Sequence, residues 1–289
     1  MNLIIDRLIH ERAPWLASQS PLTAALDTFL KFCLDYNNTI TEAKNLEHLS
    51  GTDVLNKLST EIARQVNIAG LQNIPETGSA LIVANHPTGI ADAIILYKVL
   101  SAKRRDLYYF ANNDILRVFP QLEEHIAPVE WRKEKRRKSS TQATLRFIKT
   151  AIQNEKLGVI FPSGRLAKRK GFKLVERNWM TSAVTVAQKY NCPLIPVHIA
   201  ARNSYLFYLF DMIHPTLRDI TLFKETLNKR RFRFDVNIGP SVCPQSLSRD
   251  PKIATNMLKE IVISLDRRAE NTQKRSVPQH WLDILQAIN

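Results

Sequence analysis

Short apolar runs at residues 81–84, 107–110, 157–161 and 194–199 alternate with stretches of helical periodicity at 91–102, 141–154 and 178–190. A short run without polar alternation suits a strand covered on both faces, and strands joined through a helix-length crossover lie parallel. The pattern therefore predicts an α/β fold, a mostly parallel central sheet flanked by helices. Residues 231–238 supply a late strand. Ahead of the sheet, apolar positions recur at helical spacing over 3–9, 22–34 and 54–66, with Thr52 or Asp53 as the cap of the last. Residues 1–70 thus read as an N-terminal helical segment and 71–245 as the α/β domain. Residues 246–289, with a helix over 251–270, a polar hinge over 271–279 and a short final helix, read as a C-terminal helical segment packed on that domain. No internal repeat is present.

In open α/β sheets, ligand sites gather where loops leave the carboxyl ends of strands. Asn85-His86-Pro87-Thr88-Gly89 follows the first strand and Pro162-Ser163-Gly164-Arg165 the third, so both loops are expected at one edge. His86 lies just past a buried strand, and Asp92 falls in the first turn of the next helix. A carboxylate that fixes an imidazole tautomer, and stabilises the imidazolium formed when a hydroxyl proton is taken, makes a general base without a nucleophilic Ser or Cys. The same pair fits a plainer role, with His86 bonded to its loop and Asp92 favouring a helix N-terminus. No third ligand has a spacing that suits a metal ion.

Charge narrows the ligand. Of a net +14, the stretch 131–173 holds fourteen basic residues against two acidic ones, Glu134 and Glu155. Such a field attracts phosphate on nucleic acid, on anionic lipid or on a small substrate. Arg165 can donate two parallel hydrogen bonds to a phosphate, Gly164 lets backbone approach it closely, and Ser163 and Lys168 flank it. The pI near 9.8 is also the footprint of a nucleic-acid binder. No DNA- or RNA-binding motif accompanies it, however, and nucleic acid is not an expected partner. Cys33, Cys192 and Cys243 are odd in number and lack C-x-x-C spacing, which predicts reduced, buried thiols. The N-terminus is interrupted by charge too early for a signal peptide, and no window reaches the roughly 20 apolar residues of a spanning helix. Any membrane contact is then peripheral, with Trp131, Trp179 and the aromatic run 205–210 as candidates to touch lipid or to pack in the core.

The ordered series Asn85-His86…Asp92, Phe161-Pro162-x-Gly164 and Leu194-Ile195-Pro196-Val197 resembles the motifs of the PlsC-like glycerolipid and lysophospholipid acyltransferases. The stretch from Pro196 to Ser204, with the aromatics after it, is similar to their bacterial hemolysin-like, ornithine-lipid-related branch. The resemblance covers roughly residues 70 to 240. It implies acyl transfer from acyl-CoA or acyl carrier protein to a hydroxyl of a phosphate-bearing acceptor, lysophosphatidic acid or another lyso-lipid, in phospholipid biosynthesis. It also implies His86 as base, Asp92 as its orienting partner, and Arg165 near the acceptor phosphate. Asn85, Thr88, Gly89 and Pro196 would support the acyl site, with no metal and no cofactor beyond the thioester. An anionic membrane surface on the cytoplasmic side of the inner membrane would be the workplace. A catalytically inactive lipid binder would keep the fold alone. Two positions depart from the family pattern. Five residues separate His86 from Asp92 where four are usual, and Gly89 is the one suited to absorb the extra residue. Ser163 stands where a Glu is usual, and Arg165 comes one position early.

Overall fold

The computed structural model describes residues 2–12, 20–33, 35–130, 138–171 and 173–266. Its main sheet has seven strands: β1 (Gln65–Ala69), β2 (Ala80–Ala84), β3 (Leu107–Asn112), β4 (Ile126–Val129), β5 (Leu157–Ile160), β8 (Leu194–Ala200) and β9 (Arg233–Ile238), in the order β1-β9-β8-β2-β5-β3-β4. From β8 to β4 every pairing is parallel, whereas β9 runs antiparallel to β8 and carries β1 parallel to itself at the edge. A separate hairpin, β6 (Lys168–Lys170) with β7 (Lys173–Val175), rises from the loop after β5.

Successive side chains of a strand point to opposite faces, so one apolar run feeds two cores. On β2, Ile82 and Ala84 enter the core beneath α1 (Asn2–Arg12), α3 (Tyr36–Leu46), α4 (Gly51–Ile62) and α5 (Ile90–Leu100). Leu81 and Val83 enter the other, beneath α7 (Lys138–Gln153), α8 (Ser182–Tyr190) and α12 (Pro251–Ser264). Gly158 of β5 sits beside Tyr108 of β3, and a Cβ there would lie 2.6 Å from the Tyr108 ring. This central position is therefore closed to any larger residue, which would have to displace a buried aromatic.

The N-terminal segment is not all helix. The helix expected over 54–66 stops at Ile62, and Gln65 opens β1, so the sheet starts inside the segment read as helical. A strand with exposed positions on both faces has no apolar run to announce it, and β1 exists because β9 offers it a partner. The cap of α4 is Ser50 rather than Thr52 or Asp53: its hydroxyl accepts from the Asp53 backbone N–H at 3.2 Å and donates to the Asp53 carboxylate at 2.6 Å. β4, the hairpin, and the helices α9 (Tyr205–Ile213), α10 (Pro215–Ile220) and α11 (Leu222–Asn228) add to what periodicity indicated. Of the thiols, Cys192 is buried but Cys243 is exposed. Trp131, the basic stretch 132–137 and residues 267–289, with the hinge and final helix expected there, lie outside the described residues. Among the described residues no helix is long and apolar enough to cross a membrane.

Candidate active site

β2 and β5 are parallel neighbours, so their carboxyl ends open on one edge of the sheet. The loop leaving β2 begins with Asn85, whose amide bridges to β8: its Nδ2 donates to the Ile199 carbonyl at 2.9 Å and its Oδ1 accepts from the Ile199 N–H at 2.7 Å. Asn85 thereby extends the hydrogen-bond ladder one residue past β2 and anchors the backbone from which His86 projects. The loop leaving β5 closes over it. The Ala167 N–H donates to the His86 carbonyl at 2.9 Å, and the Phe161 ring stacks on the imidazole with centroids 4.3 Å apart and planes 22° from parallel.

Asp92 is fully buried, and its carboxylate is saturated. Oδ2 accepts from His86 Nδ1, from the Thr88 N–H and from the Gly89 N–H, each at 2.9 Å, while the Thr88 hydroxyl donates to Oδ1. This geometry is the one that both the plain and the chemical reading of the residue require. Asp92 caps the N-terminus of α5, where partial positive charge favours an anion, and it faces the imidazole. A carboxylate opposite Nδ1 keeps the proton on that nitrogen and leaves Nε2 free to accept one. The ring keeps 18% of its side-chain surface exposed.

The five-residue spacing closes around Gly89. Its φ of 94° and ψ of −129° reverse the chain between Thr88 and the helix in a conformation that L-residues rarely adopt. A Cβ at Gly89 would also lie 3.0 Å from Leu166 Cδ2 and 3.2 Å from Leu222 Cδ2. Gly89→Ala is expected to cost about 1–3 kcal/mol in backbone strain and to lower turnover by displacing Thr88 from Asp92. Urea unfolding and steady-state rates check both, and a stable, fully active variant would refute this account of the spacing.

In the second loop Gly164, with a φ of 58°, turns the chain after Phe161, and the Ser163 hydroxyl donates to the Arg165 carbonyl at 2.7 Å. Ser163 is therefore spent on the turn. Arg165 and Lys168 are exposed, Lys168 on the hairpin strand β6. Pro196 is not at the mouth: it pairs with Val83 inside the sheet, and its carbonyl accepts from the Gly239 N–H at 2.9 Å. Pro196 has no N–H to give, and it stands where the regular β9 ladder gives way, after Ile238, to single contacts from Gly239 and Val242.

Several residues entered the site without a local signal. The Glu176 carboxylate accepts from the His86 backbone N–H at 2.8 Å and from Trp179 Nε1 at 3.0 Å, tying the loop before α8 to the imidazole's own peptide. Trp179 is buried in the core, so it is not a lipid contact. Asn203, just past β8, donates to the Thr88 carbonyl at 3.4 Å. Behind Ser204, the first residue before α9, lies a buried pair: Glu225 accepts from the Ser204 N–H at 2.8 Å and from Lys229 Nζ at 3.0 Å. Burial disfavours the Glu225 carboxylate, but the Lys229 charge and the Ser204 donors outweigh it and hold its pKa below the ordinary value. Burial pulls Lys229 down despite the opposing charges of Glu225 and, further off, Asp92. Glu176 and Glu225 stand far from His86 in the chain, and each joins a local partner, Trp179 or Lys229, to a backbone N–H brought from a distant segment, His86 or Ser204.

Residues 65–200 match the family model described as Acyltransferase. A lyso-glycine lipid O-acyltransferase of Phocaeicola vulgatus is 23% identical over 246 residues, covering 82% of this chain and 86% of that protein. A protein of the same name from Bacteroides thetaiotaomicron is 22% identical over 271 residues, covering 90% and 96%. Among solved structures, the crystal structure of the 1-acyl-sn-glycerophosphate (LPA) acyltransferase PlsC from Thermotoga maritima superposes with a TM-score of 0.49 at 15% identity, covering 96% of this chain and 100% of that one.

Proposed function

We propose that this chain, an acyltransferase by its match to that family model and to the two lipid O-acyltransferases, is PlsC-like and acylates the hydroxyl of an anionic lyso-lipid, with His86 as general base oriented by Asp92. The observation that carries the reading is the Nδ1 to Oδ2 contact of 2.9 Å at the carboxyl edge of the sheet, with the imidazole partly exposed beneath the Phe161 loop. In the step so written, Nε2 takes the proton of the acceptor hydroxyl as its oxygen attacks the thioester carbonyl. The carbon–sulfur bond then breaks, and the imidazolium returns the proton to the departing thiolate of acyl-CoA or acyl carrier protein. Asp92 stabilises the imidazolium in between. The chemistry calls for no metal ion, and the thioester is the co-substrate.

Arg165, at the mouth of the same edge with Gly164 and Ser163 shaping its turn and Lys168 beyond, suits the anionic group of the acceptor. A guanidinium fork accepts phosphate or carboxylate alike. A phosphate-bearing glycerolipid such as lysophosphatidic acid is the first reading. A lyso-glycine lipid is the second, favoured by the names of the two relatives that span most of this chain. Work at the cytoplasmic face of the inner membrane, as a peripheral protein, is part of the same reading.

The test is an assay of purified protein with labelled acyl-CoA and acyl-carrier-protein thioesters against glycerol phosphate, lysophosphatidic acid and lyso-glycine lipid. Transfer to one of the lyso-lipids supports the reading; transfer to none rejects it. Arg165→Ala is expected to raise the acceptor KM about tenfold or more while leaving the KM for the thioester unchanged.

A further inference from the structure

The run 205–210 does not behave as one hydrophobic block. In α9, Phe207, Tyr208 and Phe210 turn inward, and Phe210 joins Leu30 of α2 (Pro21–Cys33) and Ile220 of α10 in a small core. Tyr205, Leu209, Met212 and Ile213 recur at helical spacing on the outer side and are exposed, Tyr205 to 91%. The neighbouring α2 adds Phe29 and Phe32, the latter 84% exposed. Single exposed apolar residues are ordinary, but a run of them along one helix beside a second such helix marks a contact surface.

The surroundings say what the contact is with. The β6–β7 hairpin lies against α9, because the Arg169 guanidinium sits over the Tyr208 ring at 5.5 Å, and the same hairpin strand carries the exposed Lys168 and Lys170. Lysine is depleted from the centres of protein interfaces, whereas an apolar face flanked by lysine and arginine matches an anionic bilayer. With nine residues, α9 is too short to cross a membrane and suits lying in its surface. Its N-terminus adjoins the site: Ser204 caps it by accepting from the Phe207 N–H at 3.3 Å, and Asn203 touches the Thr88 carbonyl in the loop that holds His86.

We propose that the outer face of α9, extended by Phe29 and Phe32 of α2, is the surface by which the protein docks on an anionic lipid bilayer and draws its acceptor directly from it. The second clause rests on the acyltransferase reading above; the first does not. The triple variant Tyr205→Ser/Leu209→Ser/Met212→Ser removes only exposed side chains, so its circular dichroism and thermal transition should match the parent. Sedimentation with vesicles of phosphatidylglycerol and phosphatidylethanolamine is expected to fall about tenfold or more, because each apolar side chain left in water forfeits part of the attraction. Acyl transfer to a lyso-lipid embedded in those vesicles should fall alongside, while transfer to a short-chain, monomeric acceptor stays within about twofold. A triple variant that binds vesicles as the parent does overturns the proposal. So does a parent that ignores vesicles, or one that self-associates through this face and is made monomeric by the substitutions. A parent that binds vesicles through the stripe yet transfers no acyl group to either acceptor rejects the enzymatic reading and leaves the docking surface standing.

Discussion

Replacement of His86 by alanine is expected to lower acyl transfer by about a hundred- to ten-thousand-fold, the range a positioned general base contributes. The fold should be indifferent to the change. The imidazole is partly exposed, the His86 backbone N–H still donates to Glu176, and Asp92 keeps its bonds from Thr88 and Gly89. The thermal transition and vesicle binding should therefore stay close to the parent while turnover collapses. A His86→Ala protein with parental turnover would remove the imidazole from the mechanism and leave a lipid-binding fold with another catalytic arrangement. Equal loss in kcat and in kcat/KM is the expected form, since the base acts in the transition state and not in holding the ground-state acceptor.

The second large effect is on stability. Glu225→Leu should cost about 3–5 kcal/mol in urea unfolding, because it leaves the fully buried Lys229 without its counter-charge. Lys229→Met should cost a similar amount for the converse reason. The double variant Glu225→Leu/Lys229→Met should recover most of either loss, since an apolar pair of like volume does not need a partner. Additive losses in the double variant would show that the pair is not coupled. The pH dependence has a definite sign. Folding holds the Glu225 carboxyl below its ordinary value of 4.5, so the pair's contribution is present above that pH and is lost as the medium is acidified through the lower, folded value. The stability gap between the parent and Glu225→Gln should shrink on acidification below pH 4.5 and stay level between there and neutrality. Through Ser204 the pair also anchors the start of α9, so its loss should weaken both the site and the lipid-facing helix.

Much of the fold was legible because the parallel strands are continuous apolar runs. β2, β5 and β8 are buried along their whole length, and such segments write their burial into composition. The chain also places His86 and Asp92 correctly, one past a strand and one in the following helical turn, because a strand–loop–helix junction is a local event. The edge strand β1, with its largely exposed face, carried no such mark, and neither did the short polar hairpin that Arg169 pins to α9. These elements form because a partner is already in place.

What the amino-acid order determined by itself is therefore the alternation of strands and helices, the two strand-end loops, and the glycine that lets a five-residue spacing close between imidazole and carboxylate. Only tertiary structure decided that Glu176 holds the His86 peptide, that Pro196 belongs to the sheet, and that a six-residue aromatic run is divided between core and surface. The physical reason is one of range. Periodicity and backbone preference act over a few residues and show in the chain, whereas a hydrogen bond between residues 86 and 176, or between Asn203 and the Thr88 carbonyl, exists only where folding has brought distant segments together.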